Sequence, residues 1–221
     1  MEREVIITED GSKTIRINGL NENYHSSHGA LQEAKHVFMK YGIHEFQNQK
    51  NVSILEMGFG TGLNAFLTCV SANELDLNVN YHGVEAFPVS ELEITELEYR
   101  SLVGEENERL YDQIHASKWN DEVQITSRFA LTKIDEKLQE TKLKSEFYNI
   151  VFYDAFGPRV QEEMWSVEIF KKMFESIAFG GFLVTYCAKG QVKRNLREVG
   201  FVVEELPGPP GKREMTRAWK K

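Results

Sequence analysis

"ILEMGFGTGLNAF", residues 54–66, sets an apolar, strand-like run against three glycines, Gly58, Gly60 and Gly62, and follows them with an apolar helical run. Glycines between a strand and a helix let the backbone come close to a ligand at the carboxyl edge of a sheet, where the strand order reverses. The spacing is G-x-G-x-G, and Leu63 stands where a dinucleotide fingerprint carries its third glycine. A pyrophosphate docked on a helix N-terminus also disfavours a carboxylate beside it, and Glu56 sits there. A ligand carrying an ammonium and a sulfonium suits Glu56 better than a pyrophosphate does.

Working outward, strand, loop and helix repeat from residue 51. "VSILEM" reads as a buried strand, "LNAFLTCVSA" as its helix and "NVNYHGVEAF" as a second strand, with a helix opened by Pro88. "DEVQITSRFAL" gives a third strand and its loop, with "LTKIDEKLQE" helical after it. "YNIVFYDAF" is a fourth strand, "EMWSVEIFKKMFESI" its helix, and "GGFLVTYC" a fifth strand behind Gly180-Gly181. This alternation specifies an α/β fold with a mostly parallel, Rossmann-like sheet covered by helices on both faces. "FVVEEL" and "EMTRAWK" are joined by a loop too short for a crossover helix, so the last strand is antiparallel. Ahead of the sheet, "REVIITEDGSKTIRI" reads as a β-hairpin turning at Asp10-Gly11, and a helix follows through Leu31, Ala34, Val37 and Phe38. The expected organisation is an N-terminal hairpin and helix extension over 1–50 and a larger domain over 51–221.

With 221 residues the chain can bury a full core without disulfide or metal staples. Its two cysteines, Cys69 and Cys187, have no CxxC spacing, and no charged, apolar leader opens the chain, so a reduced, cytoplasmic protein is expected. No apolar run approaches the ~20 residues needed to cross a bilayer. The six histidines show no HExxH and no companion ligands at metal spacing, so no metal is expected. The net charge is −8, but from Cys187 to Lys221 nine Lys/Arg face four Glu, so this tail is basic on an otherwise acidic body. Such polarity reads either as one basic face for an anionic partner or as a solvated tail.

Two acids complete the crevice. Glu85 ends the second strand, 27 residues past Gly58, where an acid can accept hydrogen bonds from both hydroxyls of a ribose. Asp154 ends the fourth strand ahead of Phe156, Gly157 and Pro158, and faces the same crevice as the glycine loop. An acid, an aromatic and a turn in this place suit transfer to a nitrogen, because an amine must be deprotonated, desolvated and aimed before it can attack. Phe156, Tyr24 and Trp165 are candidate walls, although Trp165 and Phe170 on an apolar helix read more readily as core. The plainer reading of Asp154 is a helix cap.

"NYHSSHGALQEAKHVF", "EMGFGTGLN", "VEAFP", "DAFGP", "EMWSVEIF", "GGFLVTYCAKGQVKRNLREVGF" and "GPPGKREM" resemble, in order, segments of one family. It is the methyltransferase part of the MnmC family of tRNA 5-methylaminomethyl-2-thiouridine biosynthesis enzymes, also found as stand-alone MnmD proteins. The resemblance implies a class I methyltransferase that uses S-adenosyl-L-methionine to methylate the 5-aminomethyl group of a modified wobble uridine in tRNA. It implies that Glu56, Gly58, Gly60 and Gly62 contact the methionine part of the cofactor and Glu85 its ribose. It further implies that Asp154 is the active-site acid, that Tyr24 and Ser26 belong to an N-terminal pocket segment, and that Lys212 and Arg213 form a basic loop able to approach phosphate. After the third strand the family commonly has a Gly-Asp pair, with the acid near the adenine. Here the chain reads Phe129-Ala130-Leu131, which leaves the backbone near Ala130 as the expected partner of the adenine. The bifunctional relatives carry a flavin-dependent oxidoreductase domain for which this chain has no room, so methylation alone is expected. Two alternatives stay open: a methyl- or aminopropyl-transferase for a small free amine, and a catalytically silent cofactor-binding subunit.

Overall fold

The computed structural model describes residues 2–221. Along the chain run β1 (Arg3–Ile7), β2 (Lys13–Ile17), β3 (Glu22–Asn23), α1 (Ala30–Ala34), β4 (Asn51–Met57), α2 (Leu63–Glu74), β5 (Asn78–Glu85) and α3 (Glu91–Leu97). They are followed by α4 (Glu108–Ala116), β6 (Glu122–Thr126), β7 (Phe129–Asp135), β8 (Tyr148–Tyr153), α5 (Val167–Ser176), β9 (Ile177–Thr185), α6 (Gly190–Glu198), β10 (Val202–Pro207) and β11 (Glu214–Trp219).

Eight strands form the main sheet in the order β10-β11-β9-β8-β4-β5-β7-β6. β4, β5, β7, β8 and β9 are parallel, β11 runs antiparallel between β9 and β10, and β6 is antiparallel to β7 at the other edge. The α/β class, the mostly parallel sheet and the reversed last strand are as the sequence predicts. Apolar residues run almost without break through β4 and β8 because both faces of these strands are covered. Alternate residues therefore serve opposite cores. Ile54, Phe66, Tyr81, Phe129 and Phe152 pack on one side, and Leu55, Met57, Val151, Tyr153, Phe170 and Leu196 on the other.

The opening hairpin joins β3 in a separate three-stranded antiparallel sheet. Its turn caps the following helix: Ser12 Oγ accepts from the backbone N–H groups of Ala30 and Leu31, and Asp10 Oδ2 accepts from that of Gln32. Ile15, Ala30, Ala34, Val37 and Phe38 then join the core that covers β4 and β5, so the N-terminal 50 residues and the main sheet share one apolar cluster.

Three element readings are corrected. "DEVQITSRFAL" is an antiparallel hairpin, β6 and β7, and it is β7 that pairs with β5 in the parallel sheet. "LTKIDEKLQE" is therefore not a helix: Leu131–Asp135 is strand and the remainder is turn and loop. Pairing with β5 outweighs a composition that tolerates helix. The helix after β5 opens at Ser90 rather than Pro88. Ser90 and Glu93 form a reciprocal capping box, with Ser90 N–H donating to Glu93 Oε2 at 2.7 Å.

The fold pairs four of the nine cations of the basic tail with acids. Lys193 pairs with Glu205 and Glu214, Arg217 with Glu45 and Glu204, Lys212 with Glu33, and Lys220 with Glu146. Lys189, Arg194 and Arg213 remain exposed, and all three lie on segments at the carboxyl edge of the sheet. No helix among the described residues is long and apolar enough to cross a membrane.

Candidate active site

Strand order reverses between β4 and β8, and their carboxyl ends open one crevice of about 960 Å³. That is room for a nucleoside-sized ligand and part of a second molecule. The glycine loop forms its floor. Gly58, Gly60 and Gly62 have φ of 85°, 49° and 71°, the left-handed region that favours glycine. A Cβ on Gly58 would lie 2.6 Å from the Asp154 carbonyl oxygen, so this glycine lets β4 and β8 close on each other. The Asp154 N–H donates to Met57 O at 2.9 Å and secures the same junction.

Glu85 closes the loop from β5. One carboxylate oxygen accepts from Gly60 N–H and the other from Phe87 N–H, each at 2.9 Å. Each oxygen keeps a second lone pair, and the side chain lines the crevice, which fits the ribose role expected of it. Tyr24 and Phe156 meet edge to face, centroids 5.1 Å apart, in the crevice wall, with Tyr24 against the glycine loop. A Cβ on Gly60 would touch the Tyr24 ring at 3.2 Å. Trp165 is buried core, as favoured above, and its Nε1–H donates to Phe156 O at 2.8 Å, which steadies the aromatic wall.

Asp154 lines the crevice at the end of β8, with Oδ2 accepting from Asn64 Nδ2 at 2.9 Å. Burial, reinforced by the negative charge of Glu33, pushes its carboxyl up to about 7, against the hydrogen bond from Asn64 and the cation of Lys212. An acid poised there is half ionised near neutrality and can hold or accept a proton.

Four site expectations are corrected. Glu56 does not line the crevice: it is fully buried beneath α2, where Oε1 accepts from Asn64 Nδ2 at 2.9 Å. Ser26 also stands off the wall. Its backbone N–H donates to Glu33 at 3.1 Å and its hydroxyl accepts from His28 N–H, so it orders the N-terminal segment instead. Lys212 turns inward, 2.5 Å from Glu33 and over the Tyr186 ring at 4.0 Å, because the β10–β11 loop is clamped against the segment after α1 by His36 bonding to Pro207 O. Arg213, its neighbour, is exposed. Ala130 lies at the start of β7, paired with Asn80, whereas the crevice lies at the other end, where Asp135 pairs with Glu85. Five strand residues, roughly 16 Å, separate it from that edge.

Two residues of the site are absent from the sequence reading. Asn64 is the lone strongly polar side chain at the start of an apolar helix, and a buried amide of that kind must find partners. His25 lines the crevice beside Tyr24. The Thr14 hydroxyl accepts from the His25 backbone N–H and lies 3.0 Å from Nδ1, while Nε2 faces the Thr61 hydroxyl in the glycine loop at 3.4 Å. Burial lowers this imidazole to about 4, so it is neutral there. Among the described residues no cluster of His, Cys, Asp and Glu could hold a metal ion.

The residues fit S-adenosyl-L-methionine: left-handed glycines where side chains would collide, backbone N–H groups, a carboxylate rim at Glu85 and an imidazole beside the loop. A family model described as S-adenosyl-L-methionine-dependent methyltransferase matches residues 103–221. The chain is 27% identical over 227 residues to the tRNA 5-methylaminomethyl-2-thiouridine biosynthesis bifunctional protein MnmC of Hydrogenovibrio crunogenus, covering 96% of this chain and 33% of that one. The corresponding protein of Cupriavidus metallidurans is 29% identical over 231 residues, covering 97% and 33%. The chain thus spans about a third of the length of these curated relatives. Among solved structures, that of MnmC2 from Aquifex aeolicus superposes with a TM-score of 0.80 at 26% identity, covering all of this chain and 70% of that one.

Proposed function

The chain belongs to the S-adenosyl-L-methionine-dependent methyltransferase family, and on that premise we propose that it methylates the aminomethyl nitrogen of 5-aminomethyl-2-thiouridine at a tRNA wobble position. The observation that carries this reading is Asp154, an acid poised near neutrality at the crevice floor, beside the Tyr24–Phe156 aromatic pair. The names of the relatives, which are tRNA 5-methylaminomethyl-2-thiouridine biosynthesis proteins, support the choice of acceptor.

S-Adenosyl-L-methionine, when bound, supplies an electrophilic methyl group. Gly58, Gly60 and Gly62 would hold its amino-acid end, with His25 beside the loop, and Glu85 its ribose. The acceptor amine reaches neutral water as an ammonium without a lone pair. Asp154 orients it through a hydrogen bond and, ionised, accepts one proton as the nitrogen attacks. Tyr24 and Phe156 exclude water from the nitrogen and so lower the cost of neutralising it. Exposed Lys189, Arg194 and Arg213 supply cations for the phosphates of the incoming nucleic acid.

The test is incubation with methyl-labelled S-adenosyl-L-methionine and tRNA bearing 5-aminomethyl-2-thiouridine, with polyamines and other free amines in parallel. Label is expected in the wobble nucleoside. Label confined to free amines would overturn the acceptor assignment, and no label in any arm would overturn the catalytic one.

A further inference from the structure

A buried polar cluster lies beneath the crevice floor, where α2 packs on β4. Glu56 and Asn64 are buried, at 0% and 2% exposure. The Asn64 amide nitrogen spends one hydrogen on Glu56 Oε1 and the other on Asp154 Oδ2, both at 2.9 Å. Three buried atoms are left without a hydrogen-bond partner: Glu56 Oε2, Asn64 Oδ1 and the Tyr81 hydroxyl.

A count of hydrogens exposes a deficit. With Glu56 ionised, Oε2 and Asn64 Oδ1 are two acceptors, and Tyr81, which faces Glu56 from β5, has one hydrogen to give. One acceptor stays unpaired at an atom that the fold buries. Reversing the Asn64 amide does not help, because it sets the amide oxygen against two carboxyl groups. A proton on Glu56 removes the deficit: its O–H donates to Asn64 Oδ1 while Asn64 N–H donates to Oε1, the two-bond ring of a carboxylic acid with a carboxamide. The charged groups acting on Glu56 agree, since Asp154 from β8 and Glu85 from β5 are both acids. Burial is the largest influence and holds this carboxyl well above the ordinary carboxylate range, against the hydrogen bonds of Tyr81 and Asn64.

We propose that Glu56 is a neutral carboxylic acid paired with Asn64, and that this acid–amide pair is a positioning device that fixes Asp154 through Oδ2 and leaves Oδ1 for the acceptor amine. Only the statement about the acceptor rests on the function proposed above; the pairing stands on the free protein. Glu56 is then no counter-charge for the cofactor, although it stands in the glycine motif. Asp154 is the anion that meets the amine, and a second charge beneath it would compete for the proton. Asn64 acts through Asp154 and is a positioning residue.

The experiment needs no tRNA. Infrared difference spectra of the wild-type protein at pH 7.5 should show a buried carboxylic acid C=O band that disappears in Glu56→Gln. Gln keeps a hydrogen donor in the ring, so this variant should bind S-adenosylhomocysteine within about threefold of wild type by calorimetry. An ionic contact to the cofactor would instead lose roughly tenfold or more on neutralisation. In Asn64→Ser, followed by carboxyl carbon NMR, Asp154 should titrate at higher pH than in wild type, because a hydrogen bond that favours its anion is weakened. A wild-type protein with no protonated carboxyl at pH 7.5 overturns the proposal, whether or not the variants fold. So does a Glu56→Gln protein that folds and loses more than tenfold in S-adenosylhomocysteine affinity.

Discussion

At Asp154, geometry and charge lead to the same two measurements. The carboxyl is raised from an ordinary 3.8 to about 7, so kcat should rise through neutral pH as the base ionises. Asp154→Asn should lower kcat by about 10²–10⁴-fold and leave S-adenosylhomocysteine affinity within a few-fold; parallel losses of both would remove Asp154 from the acceptor side. For stability the sign is opposite to that of a salt-bridged acid. A folded-state value above the unfolded one means that ionisation opposes folding, a cost that enters as pH rises past 3.8 and is complete above about 7. The Asn variant should therefore gain about 1–3 kcal/mol over wild type at pH 8 and lose that advantage toward pH 4, in denaturant melts. Gly58→Ala has a steric outcome instead: a Cβ 2.6 Å from the Asp154 carbonyl, at a φ of 85°, should cost about 2 kcal/mol or more and disturb both sides of the crevice. The glycines, Glu85, Asp154, Tyr24 and Phe156 were legible because strand ends and loops place them whatever the packing. Glu56 was legible as a motif acid but not in its role, since only the fold shows that Asn64 stands between it and the crevice.

Element boundaries were readable where local chemistry decides them and misleading where pairing does. β4, β8 and their loops match the apolar runs because both faces of each strand are buried. In "LTKIDEKLQE" the apolar residues Leu131, Ile134 and Leu138 fit one helical face, yet β5 takes the first five residues as a strand. That single misreading carried Ala130 from the amino edge of the sheet to the crevice. Ahead of α3 the informative residues were Ser90 and Glu93 rather than Pro88, and Ser90→Ala should cost about 1 kcal/mol by thermal melting without changing cofactor affinity. The β10–β11 loop carries a second element-scale expectation. Its Lys212 neutralises buried Glu33 and lowers the Asp154 carboxyl, two effects lost together in Lys212→Met. That variant should be less stable by about 1–3 kcal/mol, and its pH–rate profile should move toward alkali; an unmoved profile would separate the loop from the site.

Over the whole molecule, formal charge overstates the surface offered to nucleic acid. The tail that reads as strongly basic directs four of its nine cations into ion pairs, with Glu33, Glu45, Glu146, Glu204, Glu205 and Glu214. Three of these six acids, Glu33, Glu45 and Glu146, lie elsewhere in the sequence, and folding alone brings them to the cations, so composition could not reveal the neutralisation. What remains at the carboxyl edge is Lys189, Arg194 and Arg213 on a body of net charge −8. Such a protein can hold a phosphate backbone only by a few local contacts, since its long-range field repels polyanions. Each cation neutralising one phosphate contributes roughly 0.7–0.9 to the slope of log affinity against log salt. A shallow slope of about 2–3 is therefore expected for tRNA, and Arg194→Glu with Arg213→Glu should lower it by about 1–2 while weakening binding. S-Adenosylhomocysteine affinity should not move in the double variant, because neither side chain reaches the crevice wall. A steep slope, or a double variant that binds tRNA as wild type does, would place the nucleic acid on a different face.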